Sequence, residues 1–233
     1  MLVHTLFDVA AWLCGLLAGV FVLRRYHVAS RLRIQGLGLP YVIATAFGTL
    51  IGTFGLGTAN LSLAGRHGVG RSILGAIIGG IAAVEAYKLV RGVRGSTGMM
   101  FVVPLGVGIA IGRIGCFLAG IDDFTYGTPT SLPWAVDFGD GVPRHPVQLY
   151  ESLSMVAFLI AFLWALSRRP DTIIRCGFYL FALTYGGQRF VWEFLKPYPA
   201  VIGPFNLFHI ACLALMLYAV AMMRWAEPVH ARA

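Results

Sequence analysis

Seven apolar stretches dominate this sequence, near residues 5–23, 41–61, 72–90, 98–118, 149–167, 175–194 and 204–223. Each is long enough to cross a hydrocarbon core of about 30 Å as a helix, a form that satisfies its own backbone hydrogen bonds in lipid. Charge is scarce, at 12% of the 233 residues, where soluble domains carry roughly 25%. The expected fold is therefore all-α: a polytopic membrane protein of about seven transmembrane helices, forming one transmembrane domain over residues 1–233.

A net charge of +8 would suit a nucleic-acid partner if the basic residues formed one patch. They fall instead in short clusters after the apolar runs, the pattern that sets membrane topology. Arg24, Arg25, Arg31, Arg33, Lys88, Arg91, Arg94, Arg168, Arg169, Arg175, Arg224 and Arg232 lie on one side; Arg66, Arg71, Arg144 and Lys196 lie on the other. The first set is placed in the cytoplasm, so the N-terminus is expected to be periplasmic and the C-terminus cytoplasmic. No basic segment precedes the first apolar run, which reads as a retained anchor rather than a cleaved signal. The expected partners are the membrane and its lipids, with no nucleic acid.

Cys14, Cys116, Cys176 and Cys212 lie in or at the ends of apolar runs without CxxC spacing, so neither a disulfide framework nor a metal site is expected. Gly48 and Gly52, Gly75 and Gly79, and Gly108 and Gly112 form GxxxG pairs, read as close helix contacts. The longest polar connection, about residues 119–148, is expected on the periplasmic side. Loops of this length are usually functional or mobile. Its charged and titratable residues are Asp122, Asp123, Asp137, Asp140, Arg144 and His145.

Charges at membrane depth cost about 2.5–3.5 kcal/mol each on insertion scales and are functional candidates by default. Arg189 and Glu193 are four apart and share a helix face, with Tyr185 one turn earlier. That spacing suits either a bundle-locking ion pair or a ligand site. Arg113 has no carboxylate within a turn, so its partner is a distant group such as Glu151 or an anionic ligand. Arginine suits phosphate because its planar fork stays charged and donates two parallel hydrogen bonds. Two such arginines point to a pocket for an anionic lipid head group. Glu85 has Lys88 three residues on and reads as a local ion pair with a snorkelling lysine.

Three runs carry a family resemblance: Gly112-Arg113-Ile114-Gly115-Cys116-Phe117 with Tyr126-Gly127-Thr128-Pro129-Thr130 and Leu132-Pro133-Trp134; Arg144-His145-Pro146-Val147-Gln148-Leu149-Tyr150-Glu151; and Tyr185-Gly186-Gly187-Gln188-Arg189-Phe190-Val191-Trp192-Glu193-Phe194. In this order they resemble the prolipoprotein diacylglyceryl transferase family. The resemblance implies seven membrane helices and transfer of the diacylglyceryl group of phosphatidylglycerol to a lipobox cysteine thiol, releasing glycerol phosphate, with no cofactor. It implies catalytic roles for Arg113, Arg189, His145 and Glu193. It places Tyr185, Glu151, Gln148, Cys116, Asp122, Asp123, Tyr126, Gly127 and Arg144 around the substrate, in a bacterial inner membrane with the site toward the outer leaflet.

The chain departs from that pattern. Typical members carry Asn at the positions of Cys116 and Ala119, a Glu near Ile121-Asp122-Asp123, and a His at the position of Leu74. Candidate bases are then His145, Asp122, Asp123 and Glu151; Cys116 is either a packing residue or a nucleophile one turn from Arg113. Two further readings stand beside the lipoprotein transferase: a lipid transferase with another acceptor, protein or small nucleophile, and a non-catalytic protein that binds or translocates anionic lipid. A small-solute transporter is disfavoured because the polar residues gather on one side.

Overall fold

The computed structural model describes residues 2–28, 38–224 and 230–231; Arg31, Arg33 and Arg232 of the topology count lie outside them. Seven long helices form: α1 (Leu2–Arg25), α2 (Leu39–Leu63), α3 (Ile73–Arg91), α4 (Met99–Ala119), α5 (Val147–Arg168), α6 (Pro170–Glu193) and α7 (Leu207–Arg224). Their ends follow local chemistry. Pro40 and Pro170 sit in first turns, where a missing N–H costs nothing. Ser72 caps α3 by accepting from the Gly75 N–H at 3.1 Å, and Gly92 closes that helix in a left-handed conformation.

Six of the helices are long and apolar enough to cross a membrane. The exception is α6, whose last two turns carry Gln188, Arg189 and Glu193. It is still a full-length helix, and its polar face is tolerated because ten of its residues are buried by neighbouring protein. The helix packs on α4, α5 and α7. Leu74, Val102, Met155, Leu166, Phe181, Ala182 and Cys212 are fully enclosed in the shared core. Outward faces are apolar too, with Trp12, Leu17 and Phe21 on α1, Phe47 on α2 and Ile160 and Trp164 on α5 all exposed. A hydrocarbon surround favours that surface.

The glycine pairs divide. A Cβ on Gly52 would stand 2.0 Å from the Gly75 carbonyl oxygen, and one on Gly48 2.4 Å from that of Gly79, so α2 and α3 touch backbone to backbone. Gly57 and Gly70 continue the contact beyond the helix end. The third pair splits: Gly108 meets the Ala11 carbonyl of α1 in ordinary contact at 3.8 Å, while Gly112 has nothing within 4 Å and departs from expectation. The tightest contacts of α1 with α4 lie one turn and two turns away on the same stripe, where Gly15 and Gly19 receive Pro104 and Gly115 receives Phe7.

The Glu85–Lys88 pair forms at 2.9 Å, and Tyr218 of α7 donates to the same Glu85 at 2.8 Å. Lys88 is buried here rather than snorkelling, because Glu85 satisfies it in place. None of the four cysteines is in a disulfide.

The connection after α4 has structure of its own. A 3₁₀ turn (Gly120–Asp123) leads into strands β2 (Val136–Asp137) and β3 (Pro143–Arg144), which pair antiparallel. Asp137 accepts from the backbone N–H groups of Gly139, Asp140 and Gly141, which fixes the hairpin tip. Arg144 pairs with Asp140 at 2.6 Å and stacks over Tyr126, 5.1 Å from its ring centre. Two other two-stranded pairs form: β1 (Val93–Arg94) with β6 (His230–Ala231), and β4 (Ala200–Ile202) with β5 (Phe205–Asn206).

The backbone contact between α2 and α3 gives a prediction. Gly52→Leu should destabilise the protein by about 1–3 kcal/mol, since no flexible side chain can yield. Gly55→Ala, with nothing within 4 Å, should be neutral or stabilising by up to about 1 kcal/mol through helix propensity. Thermal unfolding of the two variants in detergent separates these outcomes.

Candidate active site

Three helices deliver charge to one buried point. Arg113 comes from α4, Glu151 from the first turns of α5, and Arg189 and Glu193 from the end of α6. Glu151 sits at the centre. Its Oε2 lies 2.9 Å from Arg113 Nε, and its Oε1 lies 3.0 Å from Arg189 Nη1 and 2.9 Å from Lys196 Nζ. Arg189 Nε reaches Glu193 Oε1 at 2.6 Å, the contact that their four-residue spacing predicts. Lys196 stands 3.6 Å from the same oxygen.

All five groups are nearly excluded from solvent, at 7% exposure for Arg113 and less for the others. Stripping water from so many charges is costly unless they neutralise one another. Here the match is incomplete: three cations face two carboxylates. The contacts also differ in quality. Lys196 makes an aligned hydrogen bond to Glu151. The arginine contacts meet ion-pair distances without hydrogen-bond alignment, so Arg189 Nε and Nη1 and Glu151 Oε2 have no aligned partner. Arg189 also lies over the Phe208 ring, 5.1 Å from its centre.

Further buried polar atoms in α5 and α6 have no protein partner: the Tyr185 hydroxyl and both amide atoms of Gln148 and of Gln188. Tyr185 is one turn before Arg189 and Gln148 one turn before Glu151, so each shares a face with the ion cluster. Buried polar atoms cost about 1–3 kcal/mol each when unsatisfied. Such a group beside a surplus positive charge is the chemistry of a site that takes a polar anion.

The remaining sequence candidates fall outside the cluster. The Cys116 thiol lies on the Arg113 side of α4, within reach of the Asp123 carboxylate. Asp123 accepts from the Thr125 hydroxyl at 2.5 Å, while Asp122 is exposed. His145 turns to the Tyr150 hydroxyl at 3.4 Å. Its backbone pairs with Gly127 and Thr128, and a Cβ on Gly127 would stand 2.4 Å from the His145 carbonyl oxygen. Tyr126 and Arg144 stack on one another in the hairpin region. Leu74 is enclosed in the apolar core.

Three members were not anticipated. Lys196 reads in sequence as a loop charge, although its three-residue spacing from Glu193 continues the α6 face. Asn206 donates to Glu193 Oε2 at 3.2 Å. It also caps α7: its Oδ1 accepts from His209 N–H at 3.0 Å, while His209 Nδ1 accepts from Asn206 N–H at 3.1 Å. That reciprocal pair is a capping box with His in the place of Glu. The Asn-x-x-His spacing was its legible signal.

The family model described as prolipoprotein diacylglyceryl transferase matches residues 9–225. Three relatives are each called phosphatidylglycerol–prolipoprotein diacylglyceryl transferase. That of Azotobacter vinelandii is 39% identical over 144 residues, covering 58% of this chain and 52% of the relative. That of Methylococcus capsulatus is 36% identical over 165 residues, covering 66% and 60%. That of Polynucleobacter asymbioticus is 32% identical over 259 aligned positions, covering 96% and 98%. The alignments thus span between half and nearly all of the relatives' length. No solved structure matches the chain. With a matched region that takes in most of α1, the whole of the other six helices and all five charges of the site, the chain belongs to the prolipoprotein diacylglyceryl transferase family.

Proposed function

We propose that this chain transfers the diacylglyceryl group of phosphatidylglycerol to the cysteine thiol of a lipobox-bearing acceptor. The observation that carries the reading is the buried Arg113–Glu151–Arg189 link with its surplus cation. In the reaction the acceptor sulfur forms a bond to the terminal glyceryl carbon, and the bond from that carbon to the phosphate oxygen breaks. Glycerol phosphate leaves with the electron pair, and the thiol proton passes to a base.

Negative charge therefore grows on the phosphate as the bond breaks. Fixed cations in a water-poor site stabilise such growth strongly. Arg113 meets Glu151 through Nε, so that ion pair leaves its Nη groups for a phosphate. Arg189 would turn its fork to the same phosphate, and Glu193 with Asn206 behind it orients that guanidinium. The Tyr185 hydroxyl and the Gln148 and Gln188 amides supply donors and acceptors to the head group's glycerol.

Among the groups with a base's chemistry, Glu151 is poorly suited, because three cations surround it. His145 and the Asp123–Cys116 neighbourhood, outside that ring of cations, are the better candidates.

The topology follows the basic-residue count. With Lys88 and Lys196 set aside as buried cluster members, eleven cytoplasmic residues stand against three. The N-terminus is then outside, and the ion cluster, built where α4 and α6 end and α5 begins, lies in the outer leaflet of a bacterial inner membrane.

Purified protein in micelles, given labelled phosphatidylglycerol and a lipobox peptide, should release glycerol phosphate only when the peptide is present. Arg113→Ala and Arg189→Ala should each lower the rate by roughly 10²-fold or more, as loss of a charge-stabilising donor does elsewhere. Release without peptide would move the acceptor to a small nucleophile. Lipid binding with no release would overturn the transferase in favour of a lipid-binding protein, a reading that Leu74 at the family's His position favours. Glu151→Gln should cost about 3–5 kcal/mol of stability, because it leaves three buried cations with one carboxylate. A thermal unfolding scan checks that loss independently of turnover.

A further inference from the structure

The structure assigns to Lys196 the role of setting the site's charge: it holds the carboxylates so that the arginine forks can turn to the ligand, and it tunes the pocket to an anion of one negative charge. This rests on the proposed phosphatidylglycerol site and names what selects its donor lipid.

The argument starts from the count. Arg113, Arg189 and Lys196 oppose Glu151 and Glu193, leaving one positive charge uncompensated. Without Lys196 the cluster would be neutral and would have no electrostatic preference for an anion. A phosphodiester carries one negative charge and restores balance on binding; a zwitterionic phospholipid does not.

Hydrogen-bond quality then divides the labour among the cations. Lys196 Nζ is aligned on Glu151 Oε1 at 2.9 Å and is also 3.6 Å from Glu193 Oε1. The two arginines touch the same carboxylates without alignment. When a phosphate arrives, the loosely directed forks are the groups free to reorient. Lys196 remains as counter-ion, so neither glutamate is left buried and unpaired, a state that is strongly unfavourable.

Its position is fixed from several sides. Lys196 follows α6 directly, its side chain is wholly buried, and the neighbouring Leu195 carbonyl accepts from the Thr128 N–H at 2.6 Å. The Tyr198 ring lies 5.9 Å from Nζ. The charged and titratable groups facing it are Arg113 from α4, Glu151 from α5, Arg189 and Glu193 from α6, and Tyr198 from its own loop. Burial, and after it the Arg189 charge, push the Lys196 ammonium below the usual lysine pKa. It should therefore lose its proton at lower pH than an exposed lysine, and a guanidinium in its place should not.

The test uses the full-length protein in neutral detergent and measures retention of labelled phosphatidylglycerol against phosphatidylethanolamine across neutral to alkaline pH, beside glycerol phosphate release. The wild type should prefer phosphatidylglycerol and lose that preference as pH rises. Lys196→Met should bind phosphatidylglycerol at least about tenfold more weakly at neutral pH, with phosphatidylethanolamine binding little changed. Lys196→Arg should keep the preference to higher pH than the wild type. A folded Lys196→Met that keeps the full preference would overturn the assignment. So would wild type and Lys196→Arg with the same alkaline limb, a comparison that decides the matter even if the methionine variant does not fold. A wild type with lipid preference but no glycerol phosphate release would sink the transferase reading and leave this assignment standing. A wild type with no preference at all would sink both.

Discussion

Five buried charges at the meeting of α4, α5 and α6 constrain everything else in this molecule. Glu151 cannot sit at 1% exposure in an apolar bundle without its cations, and the cations cannot be there without it. Because the partners come from three helices, the electrostatic requirement is also a packing requirement: those helices must converge at this end. The α6 helix shows the consequence. Its polar last turns would be poorly placed against lipid, yet it is the most enclosed helix of the bundle, flanked by α4, α5 and α7. The site does not decorate a hydrophobic scaffold; it explains why the least apolar helix occupies the middle.

The periphery obeys a weaker rule. Away from the cluster no hydrophobic force separates protein from lipid, so helix association depends on close contact. The glycines of α2 and α3 supply it, with backbone atoms meeting where any Cβ would collide. Pro104 entering the Gly15–Gly19 notch does the same for α1 and α4. A second ionic group, Glu85 with Lys88 and Tyr218, ties α3 to α7 far along the chain from the first. The bundle thus has a polar clasp holding each region that glycine contacts do not.

Much of this was legible in the residues because lipid imposes few options. Long apolar runs can only be helices, so all seven appear near their expected bounds. Arg113, Arg189 and Glu193 announced themselves because charge at that depth is rare, and the Arg113–Glu151 pairing followed from the lack of a local partner. The misreadings have one cause: composition does not say which face a residue turns inward. Lys196 looked like a residue bound for water but had a carboxylate waiting within the fold, and Lys88, which pairs with Glu85 as expected, is buried with it rather than reaching for water. Gly108 and Gly112 have the spacing of a helix contact, yet only Gly108 lies on the stripe where α4 meets α1, with Pro104 and Gly115. The polar loop after α4, read by its length as functional or mobile, is held by the Asp137 turn and the Arg144–Asp140 pair.

The departures from the family pattern now have places in the structure. Leu74 is enclosed among apolar core residues, a position that a neutral or charged imidazole would occupy only with a polar partner. Cys116 and Asp123 stand together one turn from Arg113, where the family carries asparagine and glutamate. The arginines, glutamates and tyrosine of the motifs, by contrast, are all present and in contact or on one face. What has diverged lies where an acceptor would enter and be deprotonated; what is kept lies where a phosphate would be held. A chain that altered its donor chemistry would show the opposite distribution, so the division of the site fits the proposed reading, in which a lipid phosphate is held as before and the acceptor proton takes another route.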